Sequence, residues 1–131
     1  MTTPPEFINA MPMTDTLGME ITSAEDGHAT AELPFDEDLT FDTGDVKVLH
    51  GAASFAIADN AGAAAVMSNF DEAQPAYTID MRIDYLSAAT TGLTAEAEVL
   101  RHGSVVGVAD VIVEDENGET VVVARGTYRT A

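Results

Sequence analysis

The sequence predicts an α+β domain in which one antiparallel sheet packs on a single central helix. Two observations carry this prediction. The segment from His50 to Met67 is rich in alanine and nearly uncharged on every side, which is typical of a helix that is buried all round. The segments before and after it alternate apolar and polar residues, which is typical of half-buried strands. The expected order is a hairpin, the helix and then four strands in a meander.

The elements before the central helix are predicted from capping residues and alternation. Thr3 can cap a first helix, prolines suit its first turn, and Pro12 is expected to end it. The predicted elements are a helix from Thr3 to Met11, strands from Leu17 and from His28 to Leu33 joined by a turn at Glu25-Asp26-Gly27, and an acidic loop from Pro34 to Val46.

The four later strands are predicted from the same alternation of apolar and polar residues. In the first of them, the apolar residues from Tyr77 to Tyr85 alternate with Thr78, Asp80, Arg82 and Asp84, so we expect these two sets on opposite faces. Leu93 to Val99 alternates in the same way. The last two predicted strands run from Ser104 to Val113 and from Glu119 to Arg129, with a type I′ turn at Asn117-Gly118.

The composition indicates one globular domain over residues 1–131, because 46% of the residues are hydrophobic and chains of this length rarely divide. The absence of cysteine excludes disulfides, thiolate metal sites and a cysteine nucleophile. No apolar run is long enough for a membrane span, and the N-terminus lacks the layout of a signal peptide. We therefore expect a cytoplasmic protein without a membrane partner.

The charge balance is strongly acidic, with 23 acidic residues, five basic ones and a net charge of −18. Such a chain repels phosphate backbones, so we expect no nucleic-acid partner. The acids are spread along the chain instead of forming a tail. This distribution favours a surface adapted to strong salt, where self-repulsion is screened, and we expect a halophilic source.

Asp59 is the candidate for chemistry that remains after other motifs are excluded. The sequence has no G-x-S-x-G elbow, no phosphate-binding glycine loop and no paired-histidine spacing, so we expect neither a metal ion nor a bound cofactor. Asp59 shares a helix stripe with Phe55 and several alanines, where an unpaired carboxylate is costly. It is either a general base or nucleophile, or a carboxylate that is solvated or is satisfied by a neighbouring strand with help from Asn60.

His50, Gly51 and Ala52 begin the same helix. Free N–H groups at a helix N-terminus can donate to a developing oxyanion, although His50 could also be a simple capping residue. Asp59 lies nine residues after His50, or about 13.5 Å along a helix. If both act on one substrate atom, two helices must run antiparallel across a two-fold interface, which requires a dimer.

These motifs give the sequence a family resemblance. It resembles the hotdog-fold acyl-CoA thioesterases of the phenylacetate-pathway (4-hydroxybenzoyl-CoA thioesterase-like) type, which implies a hotdog fold with an antiparallel sheet wrapped around one long central helix. The segments that carry the resemblance are His50-Gly51-Ala52, Ala58-Asp59-Asn60, Met11-Pro12, Leu17-Gly18-Met19, Ala31 to Pro34 and Asp80 to Leu86.

The resemblance implies hydrolysis of an acyl-CoA thioester to the free acid and coenzyme A, with no further cofactor. Asp59 corresponds to the family's acidic residue, the amide of Gly51 beside His50 would polarise the carbonyl, and Thr78 would position water. The active site would lie between subunits of a homodimer, or of a dimer of dimers. General-base and nucleophilic roles for Asp59 both stay open.

Two departures from the family pattern affect the substrate site. The usual His-Gly-Gly is His-Gly-Ala, so Ala52 is expected to narrow the acyl pocket while its N–H survives, and no asparagine occurs between Thr40 and Leu49. The substrate-binding residues expected are Ala52, Phe55, Asn60 and Arg82. The departures favour an alternative function, a hotdog domain that binds acyl-CoA without hydrolysing it. A hotdog dehydratase fits less well, because the paired Asp/His helix signature is absent.

Overall fold

The computed structural model describes residues 2–72 and 74–130. Its elements are α1 (Pro4–Asn9), α2 (Pro12–Leu17), β1 (Glu20–Glu25), β2 (His28–Leu33), a 3-10 turn (Glu37–Leu39), β3 (Thr40–Asp42), β4 (Lys47–Leu49), α3 (Gly51–Met67), β5 (Tyr77–Tyr85), β6 (Leu93–His102), β7 (Val106–Asp115) and β8 (Thr120–Arg129).

The main sheet packs on one side of α3. Six strands form it in the antiparallel order β1-β2-β6-β7-β8-β5, while β3 and β4 form a separate two-stranded ribbon. Residues of α3 such as Ile57, Ala58, Ala61 and Ala64 are fully buried, and their small size lets the sheet come close to the helix. The predicted α+β hotdog fold, with its central helix, is confirmed. The prediction that the four later strands form one meander is wrong, because β5 pairs with β8 at the sheet edge and β6 pairs with β2.

Two glycines make room for a tyrosine between the sheet and α3. Tyr128 of β8 is fully buried, and it lies against Gly126 on its own strand and Gly62 on α3. A Cβ added at Gly126 would lie 2.5 Å from the Tyr128 hydroxyl, and one added at Gly62 would overlap it. Neither position accepts a side chain unless Tyr128 moves.

The N-terminal segment differs from the prediction. α1 ends at Asn9, and a second short helix, α2, which was not predicted, occupies Pro12–Leu17 and includes the residue expected to begin the first strand, Leu17. Pro12 begins α2 instead of ending α1, because the first turn of a helix needs no N–H from proline. Gly18 ends α2 in the left-handed region (φ 76°), so β1 starts at Glu20 and not at Leu17.

The tight turns are also distributed differently. Asp26 and Gly27 both have positive φ (51° and 80°), so the two-residue type I′ turn joins β1 and β2. At the predicted site only Gly118 has a positive φ, and the Asp115 carboxylate accepts the N–H groups of Asn117 and Glu119 at 2.9 Å each. The prediction of a type I′ turn at Asn117-Gly118 is therefore wrong, because a side chain stabilises a longer loop there.

β5 carries a β-bulge at Ile79, where residues 78–80 face only two residues of β8. Side chains alternate along a strand, so the extra residue puts Thr78 on the same face as Met81, which packs against the core. Strict alternation placed Thr78 on the outer face with Asp80 and Arg82. The bulge overturns that prediction and turns Thr78 towards α3.

Candidate active site

His50 caps the N-terminus of α3. Its backbone is extended (φ −60°, ψ 141°), and its Nδ1 accepts a 2.9 Å hydrogen bond from the Ala52 N–H. Its own N–H donates to the carbonyl of Leu39 at 2.8 Å, which ties the helix start to the preceding 3-10 turn. Because Nδ1 accepts, it carries no proton, and the neutral imidazole has its proton on Nε2. The capping interpretation of His50 is confirmed.

Capping leaves the Gly51 amide open in the first turn of α3. The N–H of Ala52 is bound by His50, and the N–H of Ala53 donates to the His50 carbonyl at 2.9 Å. Within residues 2–72 and 74–130, the Gly51 N–H has no hydrogen-bond acceptor. The amide of Ala52, which the sequence suggested would remain available, is used by the cap. Gly51 therefore offers the donor suited to a ligand oxygen.

Tyr85, at the end of β5, closes over the same turn. Its hydroxyl donates a 2.9 Å hydrogen bond to the Gly51 carbonyl. Its ring lies beside Gly51 so closely that an added Cβ would be 3.2 Å from Cε1. The sequence placed Tyr85 on the apolar face of its strand but gave it no role at the helix, since two residues 34 positions apart carry no local signal of contact.

Asp59 and Thr78 come together further along α3. The Thr78 hydroxyl donates a 2.7 Å hydrogen bond to Oδ1 of Asp59, which is half-buried on the helix. This contact joins two residues predicted to share a site. It also agrees with the simpler interpretation of Asp59, a carboxylate partnered by a neighbouring strand. The geometry fixes one carboxylate oxygen and leaves the helix stripe around Asp59 partly open.

Tyr128 supports Asp59 from the core side. Its hydroxyl donates to the backbone carbonyl of Asp59 at 3.1 Å. Burial, and to a smaller extent the negative charge of Asp59, raise the pKa of Tyr128 well above its ordinary value. The phenol therefore stays protonated and keeps the Asp59 backbone in place.

The two ends of this arrangement are far apart within one chain. Gly51 and Asp59 lie on the same continuous helix, α3, separated by about 12 Å along its axis. A substrate carbonyl at the Gly51 N–H is out of reach of the Asp59 carboxylate of the same chain. The structure thus pairs Asp59 with Thr78 and places the His50 cap next to Gly51, but it does not bring these two groups together.

The predicted substrate-binding residues divide between two faces. Ala52 and Phe55 lie on the partly exposed side of α3, two turns and one turn before Asp59 respectively. Asn60 donates from Nδ2 to the buried Thr14 hydroxyl at 3.2 Å, so its amide links α3 to α2.

Arg82 lies away from the other candidates. It projects from the outer face of the sheet, opposite Arg125 on β8 and in a shallow depression of about 400 Å³ with Asp84 and Asp110. Arg125 already forms a two-point ion pair with Asp110, with Nε to Oδ1 at 2.6 Å. The size of this depression does not locate the chemistry, because the sheet separates it from α3.

Two smaller cavities flank the start of α3. The first, of about 280 Å³, has walls from α2, the 3-10 turn and the helix start, including Met13, Leu17, Leu39 and Ala52. The second, of about 240 Å³, has a mostly apolar wall that includes Gly51 and Tyr85. Both meet the turn that holds the open Gly51 amide.

The described residues contain neither a cluster of metal-ligating side chains nor a helix suited to span a membrane. No group of three or more His, Asp or Glu side chains among them is arranged to hold a metal ion. No helix in residues 2–72 and 74–130 has the length and apolar character needed to cross a membrane.

Comparison with known proteins identifies the family. The sequence profile of the thioesterase superfamily matches residues 46–122, from β4 through the first part of β8. A Halobacterium salinarum protein described as "Putative esterase" is 35% identical over 121 residues, covering 86% of this chain and 80% of that one. The 1,4-dihydroxy-2-naphthoyl-CoA hydrolase of Listeria monocytogenes is 26% identical over 89% of this chain and 94% of its own.

A solved structure extends the likeness to three dimensions. The PaaI protein from the phenylacetic acid degradation operon of E. coli superposes with a TM-score of 0.83 at 26% identity, covering 95% of this chain and 88% of that chain. The prediction of a thioester hydrolase is confirmed at the level of the family. The fold, the open helix N-terminus and these comparisons together show that the chain belongs to the thioesterase superfamily.

Proposed function

We propose that the protein hydrolyses an acyl-CoA thioester to a free carboxylic acid and coenzyme A. The observation that carries the proposal is that α3 presents an unbonded Gly51 N–H at its start and an Asp59 carboxylate bound by Thr78 further along. These are an oxyanion donor and a general base or nucleophile with an orienting hydroxyl. Family membership supports the same chemistry, as does the acyl-CoA hydrolase named for Listeria.

In this mechanism the Gly51 N–H donates to the thioester carbonyl oxygen and stabilises the negative charge that develops there. Asp59 takes a proton from a water held by Thr78, or attacks the carbonyl carbon and forms an anhydride that water then opens. The carbon–sulfur bond breaks in either route, and coenzyme A leaves as a thiol after protonation. Both routes need the carboxylate ionised.

The 12 Å separation on α3 means that Gly51 and Asp59 at one site come from different chains. The edge of the sheet supports such a homodimer. β5 lies at that edge, and three large apolar side chains on it are mostly exposed, with exposed fractions of 65% for Tyr77, 57% for Ile79 and 52% for Tyr85. Pairing two β5 edges would cover these residues and set two α3 helices antiparallel, in a homodimer or a pair of such dimers.

The role of the Gly51 amide can be tested with a matched pair of variants. Gly51→Pro removes the N–H at the first helical position, where proline is tolerated after an extended residue. Gly51→Ala adds a Cβ against Tyr85 but keeps the N–H. We expect Gly51→Pro to lose about 100-fold or more in kcat and Gly51→Ala to lose much less. Equal losses would show that crowding, and not the amide, matters.

Subunit mixing tests the shared site. We expect Asp59→Ala and Gly51→Pro each to be nearly inactive alone. After unfolding and refolding together, half of the dimers combine one chain of each kind, and one of their two sites is intact, so about a quarter of the parent activity returns. No recovery from a mixture shown to form mixed dimers would contradict the two-chain site.

A substrate panel separates hydrolysis from binding alone. Release of free thiol from short, aromatic and long acyl-CoA substrates, lost in Asp59→Ala, is the expected result. Tight binding of acyl-CoA by the folded protein without thiol release would favour the non-catalytic binding domain instead.

The acidic surface supports a second, narrower proposal, adaptation to concentrated salt. A net charge of −18 on one short chain is self-repelling in dilute buffer, and Arg125–Asp110 and Lys47–Glu37 offset little of it. We expect the free energy of unfolding to rise as KCl increases from about 0.1 M to about 2 M, because the Debye length shortens. A denaturation midpoint that does not change with KCl would contradict this.

A further inference from the structure

The cavity of about 280 Å³ beside His50 has a largely apolar wall with a single carboxylate, and Thr40 and His50 are its other polar residues. Met13 and Leu17 of α2 and Leu39 of the 3-10 turn line one side, and Ala52 of α3 lines the other. Asp38 is the one acidic residue that lines it. The cavity therefore suits an uncharged apolar group and has a negative charge in its wall.

The charge of Asp38 is not neutralised locally. It follows Asp36 and Glu37 directly in the sequence. The Glu37 carboxylate pairs with Lys47 at 3.3 Å, and Oδ1 of Asp36 accepts the Asp38 N–H at 2.9 Å. Among the described residues, the Asp38 carboxylate has no ion-pair partner. A second carboxylate brought into this cavity would meet uncompensated like charge.

The position of the cavity indicates what enters it. His50 and Ala52, which line it, flank Gly51. A thioester whose carbonyl oxygen is held by the Gly51 N–H thus has one substituent at the mouth of this cavity. The phosphates of coenzyme A are disfavoured on the side that carries Asp36, Glu37 and Asp38, so the acyl group is the part that fits here.

Building on the proposed function, we infer that this cavity holds the acyl group and that Asp38 makes the enzyme select neutral, apolar acyl groups over those that end in a carboxylate. Asp38 is thus a specificity-determining residue, and Met13 supplies apolar contact. The pantetheine arm leaves by the other side, along the second cavity, whose wall includes Ser54 and Tyr85 and has no acidic residue.

The test measures binding with analogues that cannot be hydrolysed. Two 2-oxoalkyl thioethers of coenzyme A of equal chain length are compared by calorimetry, one ending in a methyl group and one in a carboxylate. We expect the parent protein to prefer the methyl-ended analogue, because Asp38 repels a second carboxylate. Asp38→Asn should reduce that preference on the order of tenfold, which is about 1.4 kcal/mol. Raising KCl from about 0.5 M to about 3 M should shrink the parent's preference as well.

Two further variants control the measurement. Asp45→Asn removes the same charge from the same acidic loop without lining the cavity, so it should leave the preference unchanged. Met13→Ala, at a side chain 63% exposed and therefore safe for folding, should weaken the methyl-ended analogue more than free coenzyme A. Folding of each variant is checked by circular dichroism.

The outcomes separate this inference from the proposed function. Selective binding that depends on Asp38, in a protein without turnover, would uphold the cavity assignment and reject hydrolysis. Turnover with a preference that Asp38→Asn does not alter would keep hydrolysis and overturn the inference. Failure of both analogues to bind would overturn it too.

Discussion

The Thr78 hydroxyl reaches Oδ1 of Asp59, at 2.7 Å, only because β5 is bulged at Ile79. Without the extra residue, the pleat would turn Thr78 to the outer face of the sheet. The bulge in this edge strand thus brings Thr78 to Asp59 on the central helix. The contact can therefore be tested by changing either Thr78 itself or the bulge.

Replacing Thr78 with valine should lower kcat with less effect on KM. The substitution keeps the shape of the side chain but removes a hydrogen bond to a charged group, worth about 1.5–3 kcal/mol, or about 10- to 100-fold in rate. Thr78→Ser keeps the hydroxyl and should retain most activity. Steady-state kinetics on both variants provide the check, and equal losses would show that the hydroxyl is dispensable.

Deleting Ile79 should imitate Thr78→Val. The deletion removes the bulge, so residues beyond it keep their pairing with β8 while Thr78 turns away from Asp59. Ile79→Ala keeps the bulge but, like the deletion, removes a side chain that the proposed dimer would cover, so it is the matched control for that loss. A deletion variant that folds, dimerises like the parent and remains fully active would argue against a role for the Thr78 contact.

Tyr85→Phe should reduce kcat by about 5-fold, because the hydrogen bond to the Gly51 carbonyl contributes about 1 kcal/mol to holding the first turn of α3. Tyr85 touches no reacting atom, so it is a positioning residue and KM should change little. The Tyr85 hydroxyl should make no difference to kcat in Gly51→Pro, because that variant already lacks the Gly51 N–H. If Tyr85→Phe lowered kcat equally in the Gly51→Pro background, its effect would not act through the Gly51 amide.

Gly62→Ala should destabilise the protein by about 1–3 kcal/mol, because its Cβ overlaps the Tyr128 hydroxyl and the core must shift. The cost should be smaller in a Tyr128→Phe background, where the hydroxyl is gone. Chemical denaturation of the two single variants and the double variant measures this coupling. Simple additivity would mean that the clash is relieved in another way.

Alkaline pH should destabilise the fold through Tyr128. An exposed tyrosine ionises near pH 10, while burial keeps the pKa of Tyr128 well above that value, so the unfolded state loses the proton first. Stability is unaffected below about pH 10 and falls above it, by about 1.4 kcal/mol per pH unit for one such group. Tyr128→Phe should show a shallower fall between about pH 10 and pH 11. Some slope should persist, since burial raises the pKa of Tyr85 too.

The sequence allowed the central helix and the later strands to be predicted because their signals are local. The order of the strands was predicted less well, because the pairing of β5 with β8 instead of β6 is a long-range contact. The alanine-rich segment after His50 predicts α3 as far as its observed end at Met67. The alternation from Leu93 to Val99 predicts which face of β6 is buried. α2 was missed because Pro12 suits the start of a helix as well as a stop.

The site was predictable only in part. Asp59 stands out as a carboxylate among small apolar residues, and the Gly51 amide follows from its place at a helix start. The bulge at Ile79 could not be predicted, because apolar and polar residues alternate without interruption through this position in the sequence. The contact of Tyr128 with Asp59 spans 69 residues of sequence, and only the folded sheet brings them together.

β5 has a further consequence for how such a protein can change. This one strand holds the Asp59 carboxylate through Thr78, braces the helix start through Tyr85 and forms the sheet edge. A substitution in β5 can change the carboxylate contact, the helix start and the sheet edge at once, so few substitutions in this strand would be neutral. The wall formed by Met13 and Asp38 lies on surface segments that make none of these contacts. Substrate range can therefore diverge between relatives at the N-terminal wall while the strand that builds the site stays constrained.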